Sequence, residues 1–157
     1  MKKWIIIICT LLVILLVWQL VSIYHTAMSP IREDENEATK IAKEEKNLQT
    51  INEVYTYNGT TPYTIVQGTD DKNEEIIIWV DEKKDIALTA NASDGVAKKD
   101  VMKYVDTDRK PSEILSVSLA MENDIPLWEI KFKDQNDRYN LYYIKFEDGE
   151  YYQRITF

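Results

Sequence analysis

An uncharged run at residues 4–24, WIIIICTLLVILLVWQLVSIY, constrains this chain more than any other feature. As a helix it spans about 31 Å, the thickness of a bilayer's hydrocarbon core. A secretory signal has a shorter apolar core and a small-residue cleavage site, and residues 22–28 offer none. The run therefore reads as a retained transmembrane anchor, with Trp4 and Tyr24 as membrane-interface residues at its two ends. Lys2, Lys3 and the terminal amine precede it, whereas Arg32, Lys40 and Lys43 follow farther off. This slight bias and the short tail predict an inside N-terminus. The expected location is the cell membrane, single-pass, with residue 25 onward extracytoplasmic. Cys9, the only cysteine, sits within the run, so no intrachain disulfide forms. Ile7 and Ile8 before it lack the small residue of a lipoprotein signal, so Cys9 is expected to be inert in lipid.

Beyond the anchor, 17 basic residues face 27 acidic ones, a net charge of −10. That argues against nucleic acid, whose binding needs cations to neutralise phosphates, and against anionic headgroups. Roughly 125 residues remain, enough for one domain or two small units sharing an interface.

Ser29-Pro30 is expected to end the anchor helix. A helix then follows over 31–48, with Ala38, Ile41, Ala42 and Leu48 on one face; it either extends the anchor as a stalk or packs on a sheet. The pattern next switches to period two. Strands are predicted at 51–58, 62–68, 74–81 and 86–89, an antiparallel meander with polar turns. A second helix is predicted over 94–106, capped by Ser93 or Asp94, with Val96, Val101, Tyr104 and Val105 as its apolar face. Strands at 112–123, 125–134, 137–148 and 149–157 complete the chain, with Leu115, Val117, Leu119 and Met121 sharing one face. Helix-then-strands thus occurs twice. Residues 62–80 overlay 126–144 without a gap, so Pro62 meets Pro126 and Asp70 meets Asp134. Each unit alone would bury only one sheet face, which favours two units packed together.

These residues resemble a known family. The anchor ends in Ser22-Ile23-Tyr24 and Ala27-Met28; a charged helix with paired alanines follows, then YTIVQGTD (63–70) and IWV (78–80). LWEI (127–130) continues through the Y-x-L-Y-Y-I-x-F-x-x-G pattern at 139–149. The chain looks like the TseB/YpmB-type cell-wall elongation regulators of low-GC Gram-positive bacteria. The resemblance implies an α+β fold: a transmembrane helix, then two PepSY-like, cystatin-like units, each a helix packed on a small antiparallel sheet. The expected division is a tail at 1–3, the anchor at 4–24, a first unit with its stalk at 25–90 and a second unit at 91–157. It also implies a partner, a class B penicillin-binding protein, and a regulator rather than a catalyst. No family residue is carried over, and the second unit departs from the pattern in its many tyrosines.

The residues offer little chemistry. His25, the only histidine, lies at the membrane junction, so no Ser-His, Cys-His or His-rich metal constellation can be assembled. Four scattered glycines make no phosphate loop, and Gly59 and Gly149 read as turn residues. The acid pairs Asp70/Asp71, Asp81/Glu82 and Asp106/Asp108 fall in turns or at element ends among lysines, where solvation explains them better than glycosidase chemistry. Asp106 and Asp108 lack the further ligands of a calcium loop. No enzyme activity, metal or cofactor is expected. Tyrosines and tryptophans alternate along the strands, and one helix cannot cover both faces of Tyr142-Tyr143. Trp79, Tyr139, Tyr143, Tyr151 and Tyr152 are therefore the candidate partner-binding residues. The leading expectation is a membrane-anchored regulator that binds a wall-synthesis protein. The PepSY resemblance also permits an inhibitor or pro-segment-like module acting on an extracellular protease. A carboxylate-based wall hydrolase is the third reading.

Overall fold

The computed structural model describes residues 2–157; the side chains of Ile5, Cys9 and Ala27 lie outside the described set, and with them the expectation for Cys9. The chain divides between Asp34 and Glu35 into two compact units. The described residues of the first are helical and belong to α1 (Lys2–Lys46), the one helix among the described residues long and apolar enough to cross a membrane. The expected stop at Pro30 does not occur: helical backbone runs through it. Proline has no N–H, so the carbonyl four residues back loses its donor. That carbonyl is Thr26 O, and the Ser29 hydroxyl donates to it at 3.2 Å. A local side-chain bond thus replaces the missing backbone one.

The second unit begins with the last turns of α1. Four antiparallel strands follow in sequential order: β1 (Thr50–Asn58), β2 (Pro62–Thr69), β3 (Glu75–Asp81) and β4 (Ile86–Asn91). Alternation gives this sheet two buried faces. Ala38, Ala42 and Leu48 pack with Val66, Ile78 and Val80 on one face. The opposite face carries Tyr55, Tyr57, Tyr63, Ile65, Ile77 and Trp79 into a larger core shared with the rest of the unit.

A 3-10 turn (Ala92–Asp94) leads to α2 (Lys98–Arg109). The expected cap is corrected here. Asp94 accepts hydrogen bonds from the Asn91 N–H and Nδ2 and so holds the 3-10 turn instead. The Val96 N–H is committed to Phe146 O at 2.7 Å, which delays the helix until Lys98. Val101 and Val105 are its buried stripe, while Tyr104 is 42 % exposed rather than packed.

The second sheet runs β5 (Glu113–Glu122), β6 (Ile125–Lys133), β7 (Tyr139–Lys145) and β8 (Tyr151–Thr156), again in sequential order. The repeat seen in the sequence is written into the pairing register. Ile65 faces Trp79 across β2–β3, and Glu129 faces Tyr143 across β6–β7, every residue 64 positions on. The register shifts between Trp79 and Val80, and at the matching step between Tyr143 and Ile144. A further bulge between Ile114 and Ser116 moves Leu115 off the face expected for it, leaving it 43 % exposed while Ile114 faces Phe132.

The two sheets meet where β5 lies against the aromatic face of the first sheet. The Leu119 N–H donates to the Tyr55 hydroxyl (2.8 Å), which donates back to Leu119 O (3.3 Å). Trp79 Nε1 donates to Ala120 O at 3.2 Å, and the Tyr57 hydroxyl to Glu122 at 2.8 Å.

Candidate functional site

The sequence-derived aromatics separate into three environments. Trp79 is wholly buried at the seam, its ring 6.1 Å edge-on from Phe146. Tyr143 is 7 % exposed and donates to the Glu129 carboxylate at 2.6 Å. Both are corrected from surface candidates to interior ones. The reason is that each falls on the inward face at its register shift, where two sheets rather than one helix provide cover. Burial, reinforced by Glu129, pushes the Tyr143 hydroxyl well above the ordinary tyrosine range. Tyr55 and Tyr57 are raised for the same first reason, burial. Glu122 is held below the usual carboxylate range: partial burial works to raise it, but hydrogen bonds from Tyr57 and the Thr60 N–H outweigh that.

Tyr139 and Tyr151 are exposed, and Tyr152 is half-buried with its hydroxyl accepting from Asn123 Nδ2. The structure does not bring these three together. Tyr151 pairs with Ile144 near one end of β7 and lies 5.5 Å from the Tyr142 ring, centroid to centroid. Tyr139 starts β7 at the other end, where Tyr139 O accepts the Phe157 N–H. Leu141 pairs with Ile155, so Tyr139, Leu141, Ile155 and Phe157 share one face by alternation. Tyr139 is 53 % exposed, Ile155 37 % and Phe157 74 %. This strip, with Lys133 Nζ above the Tyr139 ring at 5.1 Å, is the apolar surface of the second sheet. Sequence reasoning missed Leu141, Ile155 and Phe157; the register of β7 on β8 was the signal that could have found them.

Asp70 and Asp81, the leading acids of two of the pairs, hold their own turns, while Asp106 and Asp108 lie on α2. Asp70 Oδ1 accepts the N–H groups of Lys72 and Glu74, Asp81 Oδ1 those of Lys83 and Asp85, and Asp134 Oδ1 those of Asn136 and Arg138. Asp134 also takes Arg138 Nε (2.8 Å) and Nη2 (2.7 Å), and this pairing holds its carboxyl down at about 2. Asp108 is ion-paired to Arg109 at 3.0 Å. Among the described residues no group of three or more His, Cys, Asp or Glu side chains is placed to hold a metal. The main cleft has a volume of about 590 Å³, with Ile77, Val96, Trp128 and Phe146 in its apolar floor and Glu74, Glu75 and Lys98 at its rim.

A cell wall elongation regulator TseB-like domain matches residues 37–81, the end of α1 through β3. The probable cell wall elongation regulator TseB of Bacillus subtilis strain 168 is 32 % identical over 136 residues, covering 86 % of this chain and 84 % of that relative. This chain belongs to the TseB-like family of cell wall elongation regulators. The solved YpmB protein of Bacillus subtilis shares 31 % identity, with a TM-score of 0.72 over 79 % of this chain and 98 % of that one. The TseB-like family therefore has the α+β architecture expected from the sequence, and a regulatory role in wall elongation goes with it. The tyrosine-rich β7 and β8 lie outside the segment matched by the family domain.

Proposed function

We propose that this TseB-like chain is a non-catalytic regulator, anchored in the cell membrane by residues 4–24 with its N-terminus inside. Its extracytoplasmic part, units 25–90 and 91–157, binds a wall-synthesis protein, with a class B penicillin-binding protein as the partner class that the family resemblance implies. The observation that carries this reading is the strip of exposed Tyr139, Ile155 and Phe157 beside half-buried Leu141, on a chain of a regulator family. Exposed aromatic and aliphatic side chains clustered on a rigid sheet are suited to protein contact. An anchor would hold the strip at the membrane surface and raise its effective concentration near a membrane-bound partner. The family's name points to regulation rather than catalysis, and Asp70 and Asp81 serve their own turns.

Cross-linking in intact cells followed by purification from membranes tests this. A wall-synthesis transpeptidase should be enriched with the wild-type chain and depleted with a Tyr139→Ala, Phe157→Ala double variant. No enrichment of any wall-synthesis protein would overturn the proposal.

A further inference from the structure

The main cleft does not stand alone. A second cleft of about 410 Å³ adjoins it, and the two share Gln67, Glu75, Ile77 and Ala92 as lining. Together they form a groove that runs from Trp128 and Phe146 across β3 and β2 to Glu53 on β1. Its shape depends on Gly95, whose missing side chain lets the segment before α2 lie flat on the Phe146 ring; a Cβ there would collide with that ring. Trp128 Nε1 is fixed to Val96 O at 2.9 Å, so the apolar end is rigid.

Charge along the groove is uneven. Glu74 and Glu75 are exposed at its rim, and among the described residues neither has an ion-pair partner. Glu53 accepts from Gln67 Nε2 at 3.1 Å farther along. Lys98 is the single cation, at the apolar end. Three carboxylates against one ammonium favour a cationic occupant, and a groove made of two joined clefts suits an extended one. We propose that this groove binds an extended peptide segment of a partner protein, seating an apolar side chain over Trp128, Phe146 and Val96. The lysine or arginine residues that follow it lie against Glu75, Glu74 and Glu53. The proposal rests on the reading that this chain works by binding a protein, and gives it a second contact distinct from the Tyr139–Phe157 strip. Carboxylates that gain an opposite charge on a partially desolvated rim contribute both affinity and direction along the groove.

The test uses the full-length chain in a neutral detergent and fluorescein-labelled peptides read by anisotropy. The Gly-Leu-Lys-Lys-Gly peptide should bind saturably, and Gly-Leu-Glu-Glu-Gly and Gly-Gly-Lys-Lys-Gly much more weakly. The Glu74→Gln, Glu75→Gln double variant, whose changes are exposed and fold-neutral, should lose roughly tenfold in affinity. Ser93→Trp, which fills the cleft mouth, should abolish binding. Equal binding of the acidic peptide, indifference to the leucine or to both variants, or no saturable binding at all would each overturn the proposal. A photo-cross-linking residue at position 93 or at position 139 in cells separates the two surfaces. Capture of a wall-synthesis protein from position 139 alone, with no peptide binding, ends the groove proposal and leaves the strip. Peptide binding without capture from position 139 does the reverse.

Discussion

Strands β3 and β7 hold matching places in the two sheets, yet Trp79 and Tyr143, 64 residues apart, meet opposite surroundings. Trp79 faces Ile65 across its sheet and is sealed among aromatic and aliphatic neighbours. Tyr143 faces Glu129, and the pair is a buried polar contact that Lys131 Nζ completes at 3.1 Å. The first sheet is covered on both faces, by the end of α1 and by β5. The second has a face that is only partly covered and ends in the exposed strip of Tyr139 and Phe157. One backbone plan therefore serves two ends: both sheets feed the shared core, and the second also carries the exposed strip.

Substitutions can break that contrast. Trp79→Ala should be the most damaging, by about 3–5 kcal/mol, because a large ring is lost from a packed seam. Urea unfolding of the full chain followed by circular dichroism measures it. A cost near that of a surface change would mean the seam collapses around the gap. Tyr143→Phe should cost about 1–3 kcal/mol in the same assay, since it leaves a buried Glu129 oxygen without its donor. A neutral result would make the second sheet's interior as tolerant as an apolar one.

The two equivalent turns sharpen the contrast on acid titration. Asp134→Asn should cost more stability than Asp70→Asn, because Asp134 alone binds a side-chain guanidinium. With its pKa lowered from 3.8 to about 2, Asp134 contributes stability that is fully present above about pH 3.8. That contribution is lost as pH falls through about 2. Acid unfolding of the wild type should show this loss, and Asp134→Asn should flatten it. Last in size, Tyr139→Ala should change stability by no more than about 0.5 kcal/mol while lowering partner capture. A large stability loss would move Tyr139 from surface to framework.

Much of this architecture is legible in the residues. Asp70 and Asp134 mark the same turn twice, and Asn73 and Asp137 adopt positive φ (64° and 61°) at its matching corner. That is why an ungapped overlay of the two halves finds the true register. Where the reading fails, the cause is a contact distant in sequence or a local substitute. Pro30 does not stop α1 because Ser29 supplies the lost hydrogen bond. α2 starts late because Phe146, far along the chain, claims the Val96 N–H. Alternation shows that Trp79 and Tyr143 point to one face, but not that the other sheet lies there. The strip on β7 and β8 stayed hidden because it depends on which residues of β8 face Tyr139 and Leu141.

The hydroxyl of Tyr55 reaches further than its two hydrogen bonds suggest. β5 borders its sheet, and an open border invites a strand from another molecule to add on. By serving both the N–H and the carbonyl of Leu119, one side chain occupies the place such a strand would take. A strand from a second copy adding along β5 would have to displace both bonds. A tyrosine packed against the core thus also guards one residue of a sheet border.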